Sequence, residues 1–130
     1  MKVLALDYGA ARTGVAASDA TGTIATPLGV VERAAEPAGL ERIRALVGEH
    51  EVELVVVGLP LTLRGEHGAQ ARETEEFVES LRALLDVPVD TYDERFTTAI
   101  AARGAGGAPE DARAAAHLLE GYLARRGGDE

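Results

Sequence analysis

The chain contains no cysteine, which excludes disulfides and thiolate metal sites. Lysine is nearly absent: Lys2 is the sole example, and every other base is an arginine. Aromatic residues make up only 4% of the chain, so its core must be built from Leu, Val and Ala. Bases are outnumbered, 13 against 22 acids, for a formal charge of −9. That balance favours solubility and excludes a broadly basic surface. A nucleic-acid partner would have to be met through a local arginine patch, an acid-bound metal, or both. Arginine can clamp phosphate with two donors at once, although an excess of arginine and alanine also follows from genome composition. No apolar run approaches the ~20 residues of a membrane span, and the first residues lack the basic-then-apolar layout of a signal peptide. The expectation is a cytoplasmic protein with no membrane partner.

What is present suits one domain. A length of 130 residues supports a single core, expected over 1–126 with a frayed tail at 127–130. Val3 to Leu6 is a run of apolar, strand-compatible residues that reads as a strand buried on both faces. It ends on Asp7, and a carboxylate there should meet a cation, a donor or a metal, or cap its own turn. Gly9 lets the backbone turn tightly or lets a ligand approach. Val15 to Ser18 and Ile24 to Val31 read as two more strands of a meander, the latter made an irregular edge by Pro27 and Gly29. From Glu36 to Glu49 the period changes, with Leu40, Ile43 and Val47 on one helical stripe. Glu53 to Gly58 is the strongest buried-strand signal. A second helix carries Phe77, Val78, Leu81, Leu84 and Leu85 on one face, with Glu73, Glu75, Glu76 and Glu79 on a solvated one. Arg64, Arg72 and Arg82 read as solvated arginines or, equally, as phosphate clamps. Val87 to Tyr92 is a short fifth strand, an edge by virtue of Pro88. Thr97 is placed to cap a short helix through about Arg103, and a last helix opens at Pro109.

Right-handed crossovers then place the fourth strand beside the first and the fifth beyond it. The predicted fold is α/β, with a mixed five-stranded sheet of order 3-2-1-4-5, strand 2 antiparallel, and helices on both faces. The C-terminal ends of strands one, four and five share one sheet edge, where open α/β sheets bind ligands. Asp7 lies at that edge, and Asp93 and Glu94 follow strand five into it. Asp111 sits in the first turn of the last helix, in step with Ala115, Leu118 and Tyr122 and so on or beside its packed face. Taken singly, Asp111 would complement a helix dipole and Asp93 would be a turn residue. Together, carboxylates from separate elements repel and call for a cation, and oxygen ligands without cysteine suit Mg²⁺ or Mn²⁺. Such ions assist phosphoryl transfer. Arg12 and Arg95 adjoin the acids in sequence and are candidate phosphate clamps, and Thr97 and Thr98 are candidate donors at a helix start. His50, His67 and His117 show no metal-ligand spacing.

These segments carry a resemblance. Leu4 to Gly9 with Arg12, Gly14-Val15-Ala16 and Ser18-Asp19 resembles the opening motif of the YqgF/RuvX-type family of pre-16S rRNA nucleases, also described as Holliday-junction resolvases. Val56 to Leu61 with Gly65 and Gly68 is similar to the family's central motif. Asp93-Glu94-Arg95 with Thr97-Thr98 is similar to its third, and Asp111 with Ala114-Ala115, Leu118, Leu119, Tyr122 and Leu123 to its closing helix. The resemblance implies a ribonuclease H-like fold and a divalent-metal nuclease whose acids are Asp7, Glu94 and Asp111, with Asp93 as substitute for Glu94. Gly9, Arg12, Arg95, Thr97 and Thr98 are then the expected substrate contacts. Many ribonuclease H-like nucleases place a carboxylate after the fourth strand, where this chain reads Gly58-Leu59-Pro60; Glu120 stands where the family usually has glutamine. The implied substrate is structured RNA, the 5′ end of precursor 16S rRNA. The alternatives are branched DNA cut by a homodimer, since paired cuts need two-fold symmetry, and a non-catalytic ribosome-assembly factor. A phosphate-binding module of the actin-like ATPase kind would need two such domains around its nucleotide.

Overall fold

A computed structural model describes residues 1–59, 69–93 and 110–128. Its elements, in chain order, are β1 (Val3–Asp7), β2 (Arg12–Ser18), β3 (Ala25–Glu32), α1 (Pro37–Glu49), β4 (Leu54–Leu59), α2 (Ala69–Leu84), β5 (Val89–Asp93) and α3 (Glu110–Gly128). The sheet has the predicted order β3-β2-β1-β4-β5. β2 runs antiparallel to β1 and to β3, whereas β1, β4 and β5 are parallel. The short helix expected from Thr97 and the helix start at Pro109 lie outside the described residues.

β1 and β4 read as unbroken apolar runs because both of their faces are covered. Leu4 and Leu6 alternate toward a core shared with Val55, Val57, Ile43, Phe77 and Leu81, beneath α1 and α2. Val3 and Ala5 point the other way, into a core with Ala16, Val56, Ala115, Leu118 and Leu119 beneath α3. A buried leucine stabilises such a core by about 2 kcal/mol relative to exposure. The single-residue alternation of β1 therefore divides its contribution between two layers, with helices on both faces of the sheet.

The two edges are finished differently. β3 carries Pro27, and its register with β2 shifts between Val15 and Ala16, leaving Leu28 as the extra residue and Gly29 at φ 151°. This is the irregular edge expected from Pro27 and Gly29. The β2–β3 turn is closed by Asp19, whose carboxylate accepts the Thr23 and Ile24 N–H groups at 2.8 and 3.1 Å and the Thr21 hydroxyl at 2.7 Å. Those donors hold its pKa at about 2.

At the β5 edge Arg82, half-exposed, also serves the backbone. Arg82 donates through Nε and Nη2 to the Val89 carbonyl at 3.2 and 2.9 Å, and through Nη1 to Glu79 at 2.6 Å. An outer strand leaves backbone acceptors unpaired, and the end of α2 supplies the donor. β5 itself starts at Val89 rather than Val87, although the Pro88 carbonyl already accepts the Val55 N–H at 3.0 Å. α3 carries helix through Gly127 and Gly128, two residues into the expected tail; glycine costs a helix only about 1 kcal/mol each. Among the described residues no helix is long and apolar enough to cross a membrane.

Candidate active site

The C-terminal ends of β1, β4 and β5 meet at one edge because they are parallel and in register, Leu6 opposite Val57 and Leu59 opposite Asp93. Asp7 is the last residue of β1 and partly buried. It shares the parity of Val3 and Ala5, hence the α3 face of the sheet. Its cross-strand partner is Gly14 of β2. A Cβ on Gly14 would overlap the backbone carbonyl of Asp111 and stand 3.0 Å from the Ala112 nitrogen. The first turn of α3 thus rests directly on β2 at the residue paired with Asp7. This glycine is what brings Asp7 and Asp111 into one locality.

Asp111 accepts an ion pair from Arg12, Nε to Oδ2, at 3.2 Å. Arg12 is the first residue of β2, so the guanidinium spans from strand to helix across the mouth of the site. The two side chains are 67% and 34% exposed, and pairs this open contribute only about 0–1 kcal/mol.

The hairpin joining β1 to β2 is built tightly. A Cβ on Gly9 would stand 2.5 Å from the Arg12 carbonyl oxygen, so the turn itself requires glycine there. Thr13, fully buried, has its hydroxyl 3.4 Å from both the N–H and the carbonyl of Gly9. These contacts hold the chain directly after Asp7.

Behind Asp7, on the other face, Tyr8 stacks on Phe77 of α2 with ring centroids 4.5 Å apart and planes 26° apart. The Glu73 carboxylate faces its hydroxyl; burial first, then the charge of Glu73 and hydrogen bonding to it, and then Glu76, push the phenol pKa above its ordinary value. Glu73 was expected on a solvated face and is exposed there, with its charge also felt by the tyrosine. The signal was available in the chain: Tyr8 alternates with Leu4 and Leu6, and Glu73 precedes Phe77 by one helical turn. On the α3 side, Tyr122 donates to Asp90 Oδ2 at 3.3 Å and meets Tyr92 edge-on at 5.8 Å. α3 is thereby fastened to β5 as well as to β1 and β2.

Asp93 ends β5 opposite Leu59. Glu94, Arg95, Thr97 and Thr98 lie outside the described residues, as does His67. His117 has a local contact with Glu120, Nδ1 to Oε1 at 3.9 Å, and Glu120 lies more than two helical turns beyond Asp111. Among the described residues no three acids, histidines or cysteines form a metal-binding group; the described portion of the expected set is the pair Asp7 and Asp111. Their donors are carboxylate oxygens, which fit a hard divalent cation, and a cation, the Arg12 guanidinium, already stands at one of them.

Comparison with known proteins agrees with this geometry. The family model for RuvX, described as Holliday junction resolvase, matches residues 1–125. A protein of Roseiflexus sp. named "Putative pre-16S rRNA nuclease" is 44% identical over 102 residues, covering 78% of this chain and 72% of its own length. One of the same name from Chloroflexus aggregans is 42% identical over 133 residues, covering 95% and 94%. Among solved structures, T. thermophilus RuvC in complex with a Holliday junction substrate superposes with a TM-score of 0.59 at 19% identity, covering 98% of this chain and 96% of that one. At that identity the likeness speaks to architecture, the ribonuclease H-like fold that the resemblance implies and with which the sheet order is consistent. With a family match from the first residue to the last turns of α3, and relatives above 40% identity along most of their length, the chain belongs to the RuvX family.

Proposed function

We propose that the chain is a divalent-metal-dependent endonuclease that cleaves phosphodiesters in structured nucleic acid, and that its substrate is the 5′ end of precursor 16S rRNA. The observation that carries this reading is the seating of Asp111 on Gly14, the strand partner of Asp7. It joins two acids from opposite ends of the chain at the edge where α/β sheets act. The name shared by the Roseiflexus and Chloroflexus relatives supports the choice of RNA.

Asp7 and Asp111, with Glu94, are the residues that would hold Mg²⁺ or Mn²⁺. Asp90 and Tyr92 are the β5 residues that engage α3, and Glu94 continues their even parity in the sequence; this favours it over Asp93. When bound, the ion would polarise the scissile phosphodiester and lower the pKa of a coordinated water. Asp7, fixed between the Thr13-clasped turn and the Tyr8–Phe77 stack, contributes a carboxylate whose position is set before substrate arrives. Arg12 and Arg95, with Thr97, Thr98 and the Gly9 turn, would hold the flanking phosphates. The whole site lies within a single domain of residues 1–126, acting in the cytoplasm.

A second reading keeps the chemistry and changes the substrate to four-way DNA, favoured by the RuvX family's own description and by the junction bound to the RuvC neighbour. That reading needs a two-fold dimer. A cleavage assay decides between them: purified protein with precursor 16S rRNA and with a four-way DNA junction, each under Mg²⁺ and Mn²⁺, using wild type and Asp7→Asn. We expect cleavage of the RNA, reduced more than about 10²-fold in turnover by Asp7→Asn with binding little changed. Junction cleavage without RNA cleavage would move the substrate to DNA. Cleavage indifferent to Asp7→Asn would remove the catalytic assignment of Asp7, and no cleavage of either substrate would leave a non-catalytic assembly factor.

A further inference from the structure

We propose that Arg12 is the resident counter-ion of Asp111, a competitor of a divalent cation for that carboxylate. The inference rests on the metal-site reading above and adds to it a role for a side chain that would otherwise count only as a phosphate clamp. Three features of the pair carry it. First, it joins Arg12 to one of the two acids that Gly14 brings together, so a cation already stands where a cation is wanted. Second, Asp111 lies in the first turn of α3, where the helix dipole favours the charged carboxylate whether or not arginine is present. The guanidinium is thus replaceable. Third, Arg12 is 67% exposed and so weakly held that a divalent ion can displace it.

The arrangement has a function in each state. Without an ion, the guanidinium offsets the negative charge of the acids and ties the first turn of α3 to the start of β2. With the carboxylate given up to an ion, the planar fork of Arg12 is released at the rim of the site, where its donors match a phosphate. Phosphate and ion then draw on the same side chain from opposite ends. A phosphate that captures Arg12 frees Asp111, and by reciprocity an ion on Asp111 frees Arg12 for phosphate. Loading of ion and of nucleic acid therefore favour each other.

The test is Mn²⁺ affinity in the absence of nucleic acid, read from the electron paramagnetic resonance signal of free Mn²⁺. It compares wild type, Arg12→Gln, Asp111→Asn and the double variant, with Asp7→Asn as reference. Arg12→Gln should tighten Mn²⁺ binding about two- to fivefold, the ratio corresponding to an exposed ion pair. In the Asp111→Asn background the same change should have no effect, because the pair no longer exists. Unchanged or weaker Mn²⁺ binding in Arg12→Gln would overturn the proposal. So would an equal tightening in the Asp111→Asn background, which would reduce Arg12 to a diffuse positive charge. A failure of the underlying reading has a different signature: wild type that takes up no Mn²⁺, or uptake that Asp7→Asn leaves intact, removes the metal site itself and this role with it.

Discussion

The two faces of the sheet are packed with different side chains. Beneath α1 and α2 the contacts are large: Leu4, Leu6, Ile43, Phe77 and Leu81, all nearly inaccessible. Beneath α3 the packing is graded: Val3, Val56, Leu118 and Leu119 fill it away from the site, while elsewhere the sheet presents Ala5 and Ala16, with Gly14 at the site, and the helix answers with Ala112 and Ala115. Large side chains hold helices about 10 Å from a sheet and gain stability from buried area; small ones give up area and let backbones meet. Where Gly14 meets the first turn of α3, hydrophobic burial is exchanged for proximity, and Asp7 and Asp111 lie there. On the proposed reading, one face supports the fold and the other positions its chemistry.

The largest effect should come from closing the gap that glycine leaves. Gly14→Ala places a Cβ on the Asp111 carbonyl, a backbone group that cannot rotate aside. The first turn of α3 must lift by about an ångström, and displacements of that size at a reacting centre cost about 10²-fold in rate. Overpacking should also cost about 1–3 kcal/mol of stability. Cleavage assays beside chemical denaturation measure both, and wild-type turnover in Gly14→Ala would show that the contact of α3 with β2 does not position the acids.

On the opposite face the balance reverses. Leu81→Ala empties a fully buried position and should cost about 2–5 kcal/mol. Turnover per folded molecule, assayed below the melting transition, should stay within about twofold of wild type. If instead the two variants lose activity and stability in the same proportion, the division of labour between the faces does not exist.

The same contrast governs how much could be read from the chain. β1 and β4 were legible because double-sided burial writes itself as an unbroken apolar run, and the sheet order followed from crossover handedness. Asp111 was legible through its step with Ala115, Leu118 and Tyr122. Gly14 was not: a glycine within a strand leaves no periodic trace, and what it accommodates comes from the far end of the chain. The Arg12–Asp111 pair was hidden for the same reason, although each partner had been singled out. Arg82 is exposed as a solvated arginine would be, yet its contact with the Val89 carbonyl was hidden, because helical periodicity reports where a side chain starts and long side chains end elsewhere. That partner is supplied by the tertiary fold.

Tyr8 gives the smallest and most discriminating test, since it touches the large-residue face directly behind Asp7. Tyr8→Phe keeps the stack on Phe77 and removes only the hydroxyl that faces Glu73. The loss should be about 0.5–1.5 kcal/mol at neutral pH, and turnover should change little, because the ring rather than the hydroxyl sets the strand's end. The pH dependence carries the sign. The phenol pKa is raised above 10.0 in the folded protein, so the folded state keeps its proton where the unfolded state has lost it. The contribution is present in full below pH 10 and declines as pH rises from there through the folded pKa. Thermal melts between pH 8 and about 11 should therefore fall more steeply for wild type than for Tyr8→Phe. Parallel curves would mean that the hydroxyl is not held by Glu73, and that the stack alone fastens β1 to the supporting face.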